Sequence, residues 1–202
     1  MQEKEGQMKK ILLPPRVVRY SIKADGNFPN NAELPVLIYK HVFGLPELPF
    51  RAASVIEKIF HDNNWKNSWR DGMYDFHHYH STTHEVLGAF RGRAKVALGG
   101  PNGIITELEK GDVIIIPVGV SHKLVSDDHF RCVGAYPNGM DWDVNYGKAG
   151  ELEITLKNIE HVPLPSTDPV FGSEGPFWEH WWYHTKLWRS PHSPRIKSRE
   201  KR

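Results

Sequence analysis

The sequence predicts an all-β fold, an antiparallel sandwich or barrel, and three observations carry that prediction. Beyond residue 70 the apolar residues fall in many short runs at near-regular spacing, the pattern of consecutive antiparallel strands. Turn-forming clusters separate the runs: RGR, GGPNG, EKGD, PVG and SDD. Helical periodicity is scarce. One amphipathic stretch, with Ala52, Val55, Ile56, Ile59 and Phe60 on a single face, precedes these strands.

Taken in order, the chain opens with MQEKEGQMKKILLPP, whose one apolar run is Ile11, Leu12 and Leu13. A secretory segment needs roughly 7–15 apolar residues, and no stretch approaches the ~18 that span a bilayer. A cytoplasmic protein with no membrane partner is expected, with Met8 an alternative start. Segments 16–22 and 35–42 read as strands, and DNN after His61 ends the helix. Strands follow at roughly 73–80, 85–91, 93–98, 103–108, 112–117, 120–125 and 130–136. After Pro137 the periodicity fades. Pro163, Pro165, Pro169 and Pro176 argue against a long regular element there. Trp178, Trp181, Trp182, Thr185 and Trp188 then recur at helical spacing, reading as an aromatic helix packed on the barrel or on a second subunit. From Arg189 the tail RSPHSPRIKSREKR has six basic residues and one acid and reads as disordered. The expected organisation is an extension over 1–69 with two strands and one helix, a barrel core over 70–136, wrapping loops with the aromatic segment over 137–188, and the basic tail over 189–202.

Composition narrows the function. With 26 basic against 24 acidic residues, nothing in the overall charge draws the chain to nucleic acid or a membrane. No helix-turn-helix pattern is present, and the basic tail is too short and irregular for a DNA-binding domain. A single cysteine, Cys132, excludes an intramolecular disulfide and reads as a small core residue. There is no second copy of the histidine-rich segment.

That segment, FHHYHSTTHE over 76–85, holds four histidines and a glutamate. In a strand alternate side chains share a face, so His78 and His80 point one way and His77 and Tyr79 the other. A hairpin through STTH would bring Glu85 back beside them. Further on, GDVIIIPVGVSH turns at Gly111, Pro117 and Gly119 and places His122 on a returning strand.

Together these stretches resemble the cupin superfamily. GMYDFHHYHSTTHEVLGAFRG follows its first motif, GxxxxxHxHxxxxExxxxxxG, at Gly72, His78, His80, Glu85 and Gly92. GDVIIIPVGVSH follows the second, GxxxxxPxGxxH, at Gly111, Pro117, Gly119 and His122. The asparagine that commonly closes the second motif is replaced by Ser126. More closely, DGMYDFHHYHSTTHEVLG, VGAYPNG with DWD, and VPLPSTDPVFG resemble a branch of small, mostly uncharacterised bacterial single-domain cupins. The resemblance implies a double-stranded β-helix, the jelly-roll barrel, with His78, His80, Glu85 and His122 as ligands of one metal ion.

Imidazole and carboxylate suit divalent iron or manganese first, with nickel, cobalt or zinc as alternatives. Each histidine must be neutral to bind, so metal should be lost below about pH 6.5. Six-coordination would leave about two open positions. Among the neighbours, His84 competes with Glu85 but fits the motif spacing less well. Phe76 and Tyr74 share the parity of His78, and Tyr74 carries a hydroxyl that could reach a substrate. Parity alone leaves Tyr39, His41, Arg131 and Tyr136 unplaced. Similar cupins carry out dioxygenation, isomerisation and decarboxylation. The expectation is a metal-dependent enzyme on a small organic substrate, with Tyr74 as a candidate catalytic group. The alternative is a non-catalytic cupin that binds a sugar or small acid. The pairing habit of cupin sheets, with the tryptophan-rich extension, implies a homodimer.

Overall fold

The computed structural model describes residues 11–182, and within them the architecture is antiparallel β throughout. In chain order the strands are β1 (Arg16–Ile22), β2 (Asn31–Lys40), β3 (Trp65–Asp71), β4 (Glu85–Leu98), β5 (Ile104–Glu109), β6 (Val113–Ile116) and β7 (His122–Pro137). They form one sheet in the order β1-β2-β6-β4-β7-β3, with β5 added on β4. The helices are α1 (Pro49–Asp62) and α2 (Glu151–His161), and a short π-helical turn spans Trp178–Trp182.

The long ribbon of β4 and β7 runs from Val86 opposite Ala135 to Leu98 opposite His122. Segments 85–91 and 93–98, expected as two strands, are one strand. So are 120–125 and 130–136. The turn-forming residues between them make bulges, not breaks. The register slips between Ala89, Arg91 and Arg93, where Gly92 has φ +66° and His129 φ +53°. A Cβ on Gly92 would lie 2.2 Å from the Asp128 carbonyl oxygen. Such bulges bend and twist a ribbon without ending it. This bent ribbon, flanked by neighbours on both sides, is the jelly-roll arrangement that the two motifs imply.

Both faces of the sheet are covered. Val36, Ile38, Leu87, Ala89, Ile114, Ile116, Phe130 and Cys132 fill the barrel interior. Their alternates, including Leu37, Tyr39, Val86, Ile115, Val133 and Ala135, pack outward against α1 and the C-terminal aromatics. This explains the unbroken VIII of β6, buried at all four positions.

Helix α1 begins with Pro49 at its first turn, where a proline's missing N–H costs nothing. It buries Ala52, Ala53, Ile56, Ile59 and Phe60, as its periodicity predicts, with Val55 at the margin. Gly88 of β4 lets it dock. A Cβ there would meet Ile56 Cγ2 at 2.6 Å and Phe60 Cζ at 3.0 Å.

Three elements depart from expectation. Segment 73–80 is not a ladder strand; it makes isolated bridges from His78 to His122 and from Tyr79 to Asn145. The anticipated hairpin of 73–80 with β4 is therefore absent, and the histidine segment pairs with the start of β7. Residues Trp65–Asp71 form a strand, β3, where none was expected. Helix α2 lies in a region expected as loop; it buries only Thr155, so it has no apolar stripe to announce it.

At the C-terminal end of the described residues, Trp181 is wholly buried and donates its indole N–H to the Pro35 carbonyl at 2.9 Å. The aromatic segment thus packs on the barrel. Thr185, Trp188 and the basic tail lie outside the described residues. Among the described residues no helix is long and apolar enough to cross a membrane.

Candidate metal centre

The site is built where the start of β7 meets the histidine segment and the start of β4. His78 and His122 exchange both backbone bonds, His122 donating at 2.9 Å and His78 at 3.2 Å. One rung of pairing thus sets two imidazoles side by side, with centroids 4.1 Å apart. His80, two residues on, brings a third ring 5.5 Å from His78 and 5.6 Å from His122. Glu85 opens β4 with the parity of Leu87 and Ala89, so its carboxylate enters the barrel interior. All four are nearly closed to solvent: His78 3 %, His80 5 %, Glu85 3 % and His122 2 % exposed.

Each imidazole is fixed by the main chain. His78 Nδ1 bonds the Phe76 carbonyl at 3.1 Å, His122 Nδ1 the Val120 carbonyl at 3.1 Å, and His80 Nδ1 the Asp143 carbonyl. A carbonyl oxygen only accepts, so Nδ1 carries the proton in all three rings. The Nε2 lone pairs are left for another partner, the arrangement of metal-binding histidines. The three histidines offer ligand atoms within 4.8 Å of one another. Glu85 Oε2 stands 3.2 Å from His122 Nε2 and 3.5 Å from His80 Nε2.

These separations pass a simple test of fit. Two donors about 2.1 Å from one ion, at a right angle, are about 3 Å apart. The electrostatics agree. Lone pairs on nitrogen and on a carboxylate cannot face each other at these distances without positive charge between them. Either protons or a cation must supply it. The residues present therefore fit a divalent transition metal.

Perturbed acidities follow the same geometry. Burial first, then the neighbouring His122, pushes His78 down to about 3. At His80 burial works downward, but the charge and hydrogen bond of Glu85 raise it overall. Burial likewise opposes ionisation of Glu85, yet His80 and His122 hold it below the ordinary carboxylate range. The carboxylate is also tethered. Tyr136, which shares the interior parity of Phe130 and Cys132, donates its hydroxyl to Glu85 Oε1 at 2.9 Å. Trp69 of β3 donates its indole N–H to the Tyr136 hydroxyl at 2.8 Å.

A second support comes from the DWD loop. The Asp143 carboxylate accepts from the Ser81 N–H and hydroxyl, both at 2.6 Å, and from the Asn145 amide at 2.8 Å. That pins the loop whose carbonyl orients His80. Sequence reasoning left Trp69, Trp142 and Asp143 without roles and Tyr136 without a face. The alternation of β7 carried the signal for Tyr136.

The other candidates fall elsewhere. His84 lies on the outward face, 4.9 Å from Trp181, and its Nδ1 accepts the Val118 N–H at 3.0 Å. His77 packs on Phe28 at 5.7 Å. Tyr39 donates to the buried Asp168 at 2.8 Å, away from the histidines. His41 and Arg131 are exposed. Tyr74 stands at the mouth, 48 % exposed, its ring edge-on to His78 at 5.0 Å. Phe76 stacks beside it at 4.9 Å.

The four residues open into a cavity of about 390 Å³, walled further by Trp69, Met73, Tyr74, Leu87, Tyr136 and Trp142. This lies within the ~300–1,000 Å³ of small-molecule sites.

Comparison with known proteins adds the following. The uncharacterized protein YjlB of Bacillus subtilis (strain 168) is 37% identical over 163 residues, 80% of this chain and 94% of that protein. No family model matches. Among solved structures, vicilin from Solanum melongena is 24% identical over 42% of this chain and 25% of its own, with TM-score 0.32. A DUF861 family protein from Thermotoga maritima is 23% identical, covering 49% of this chain and 96% of that one, with TM-score 0.30. Bacillus subtilis oxalate decarboxylase, a protein with Mn(II) centres, is 18% identical over 39% of this chain and 22% of its own, with TM-score 0.30. The chain spans about a quarter of the length of the vicilin and the decarboxylase.

Proposed function

We propose, for a chain that belongs to one family with YjlB of Bacillus subtilis, a cupin that holds one divalent transition metal through His78, His80, Glu85 and His122 and acts as an enzyme on a small organic substrate. The observation that carries this reading is the fixed tautomer of three buried imidazoles converging beside a carboxylate at the floor of a cavity. Iron or manganese is expected, with nickel, cobalt or zinc as alternatives. Bound there, the ion would supply Lewis acidity, redox capacity or a template for a chelating substrate. The chain's own residues then hold Glu85 through Tyr136, hold His80 through the Asp143 loop, and wall the cavity from solvent. Tyr74, at the mouth, is placed to meet a substrate with its hydroxyl. Dioxygenation, isomerisation and decarboxylation all remain compatible with this arrangement. The fold does not choose among them.

One observation favours the second reading, a non-catalytic cupin that binds its ligand through a bridging or structural metal. The charged groups of the wall are engaged: Arg70 with Glu57, Asp71 with the Gly72 N–H, and Glu85 with Tyr136. Neither Arg70 nor Glu85 is free to shuttle a proton, and Asp71 is bonded through only one of its oxygens. A cytoplasmic homodimer with a small-molecule partner and no nucleic acid completes the proposal.

Elemental mass spectrometry of untagged protein, purified without chelator and without oxygen, tests it. About one equivalent of iron or manganese is expected, falling sharply in His78→Ala and His122→Ala variants that keep their circular dichroism. Full metal retention in both variants would overturn the ligand assignment. Bound metal without turnover of any small organic substrate would leave the binding protein.

A further inference from the structure

The cavity above the proposed metal site has walls that discriminate among small organic ligands. We infer that its ligand is a planar ring compound, of one or two rings, that presents two adjacent oxygen donors to the ion. This inference rests on the metal reading above. It excludes the sugar and the aliphatic polyacid as preferred ligands.

The walls are aromatic. Trp142 and Tyr136 lie near-parallel, 24° apart with centroids at 6.0 Å. Trp142 also stands against His80 at 5.5 Å. A flat surface therefore runs from the mouth down to one of the proposed ligands. Trp69 also lines the cavity, beside Tyr136, and its indole comes within 2.1 Å of where a Cβ on Gly134 would be. At the rim Tyr74 stacks on Phe76 with only 17° between the rings. Flat π faces of this kind favour a flat ligand.

Most polar groups of the wall are already engaged, and two others, Asn67 and Asp71, are exposed and offer acceptor oxygens. Arg70 pairs with Glu57, and the Ser68 hydroxyl donates to the same carboxylate at 2.7 Å. The Tyr136 hydroxyl both accepts from Trp69 and donates to Glu85. The Trp142 indole N–H and the Tyr74 hydroxyl, both partly exposed, are left at the mouth. A sugar would bury several hydroxyls against such a wall and leave most of them unpaired, which costs binding energy for each. A di- or tricarboxylate would find, besides the ion, only Arg70, whose guanidinium already pairs with Glu57, and would meet the Asp71 carboxylate. Two adjacent oxygens on a ring need neither. They match the roughly two coordination positions that four protein ligands leave open, and the ring takes the aromatic wall.

The test uses manganese-loaded protein, with metal content measured first. Nitrocatechol, a ring with adjacent oxygens, and oxalate, a chelator without a ring, are titrated by calorimetry without oxygen. The same titrations are run on Trp142→Ala and Trp142→Phe. The expected result is that Trp142→Ala weakens nitrocatechol about tenfold, the scale of one aromatic stacking partner. Oxalate should change less than about twofold, Trp142→Phe should restore most of the loss, and metal content should hold. Equal weakening of both chelators, or none for nitrocatechol, would overturn the inference while leaving the metal site standing. Failure to take up manganese would overturn the metal reading, and the inference with it.

Discussion

Tyr136 shows what one hydroxyl can settle. It donates to Glu85 Oε1 and so leaves Oε2 facing His80 and His122. Tyr136→Phe keeps the ring and removes that tether. Metal affinity, measured by competition with a chromogenic chelator, should fall about 10–100-fold, the usual effect of losing a partner behind a ligand. Unchanged affinity would mean the barrel alone aims the carboxylate. Asp168 carries a different prediction. It is wholly buried and accepts from the Tyr39 hydroxyl and from Val170, Phe171 and Phe177 N–H groups. Burial nevertheless raises its pKa from 3.8 to about 6. A carboxyl raised on folding stabilises fully below its unfolded value, and that contribution is lost as pH rises through its folded value. The stability difference between wild type and Asp168→Asn should therefore shrink by about 2 kcal/mol between pH 4 and pH 6. Urea denaturation at several pH values checks this, and a flat difference would count against it. At this scale the sequence was most legible in which side chains converge: His78, His80, Glu85 and His122, picked out by motif spacing, do meet in the barrel interior. His84 could not be dismissed from spacing alone. The face it takes depends on where the ladder begins, and no neighbouring residue states that.

Among the elements, α1, β1 and β2 were legible because their apolar periodicity is strong and a covered face demanded it. The ribbon of β4 and β7 was misread as four strands. RGR and SDD look like turns, and a left-handed residue does lie within the first, at Gly92, and directly after the second, at His129. Whether such residues end a strand or bulge it depends on the partner strand, which lies some forty residues away. β3 was missed because WKNSWRD is mostly exposed and its pairing comes entirely from β7. The docking of α1 on β4 yields the prediction of this scale. Gly88→Ala would push a methyl into Ile56 and Phe60. It should cost about 1–3 kcal/mol, as overpacked interiors do, without displacing Glu85 at the start of the strand. Calorimetric unfolding together with metal content measures both. A neutral substitution would mean that α1 shifts freely.

For the whole molecule, the proposed ion would join three distant pieces of chain: residues 78–80, the start of β4 and the start of β7. A ligand that binds only the folded state stabilises by mass action, about 4 kcal/mol at a thousandfold excess over its dissociation constant. Chelator treatment should therefore lower Tm by several degrees and leave the far-ultraviolet spectrum native. An unchanged Tm would argue against any such tie. Removing residues 190–202 should leave metal content as it was, and light scattering should return the mass of two chains; a monomer would count against the paired assembly. The atoms that orient the three imidazoles are main-chain carbonyls of Phe76, Val120 and Asp143, and no substitution deletes a carbonyl. The atoms that line the cavity above them are side chains. Over evolutionary time the two sets can drift separately: descendants can exchange Tyr74 or Trp142, and with them the compound they accept, while inheriting the same four convergent side chains intact.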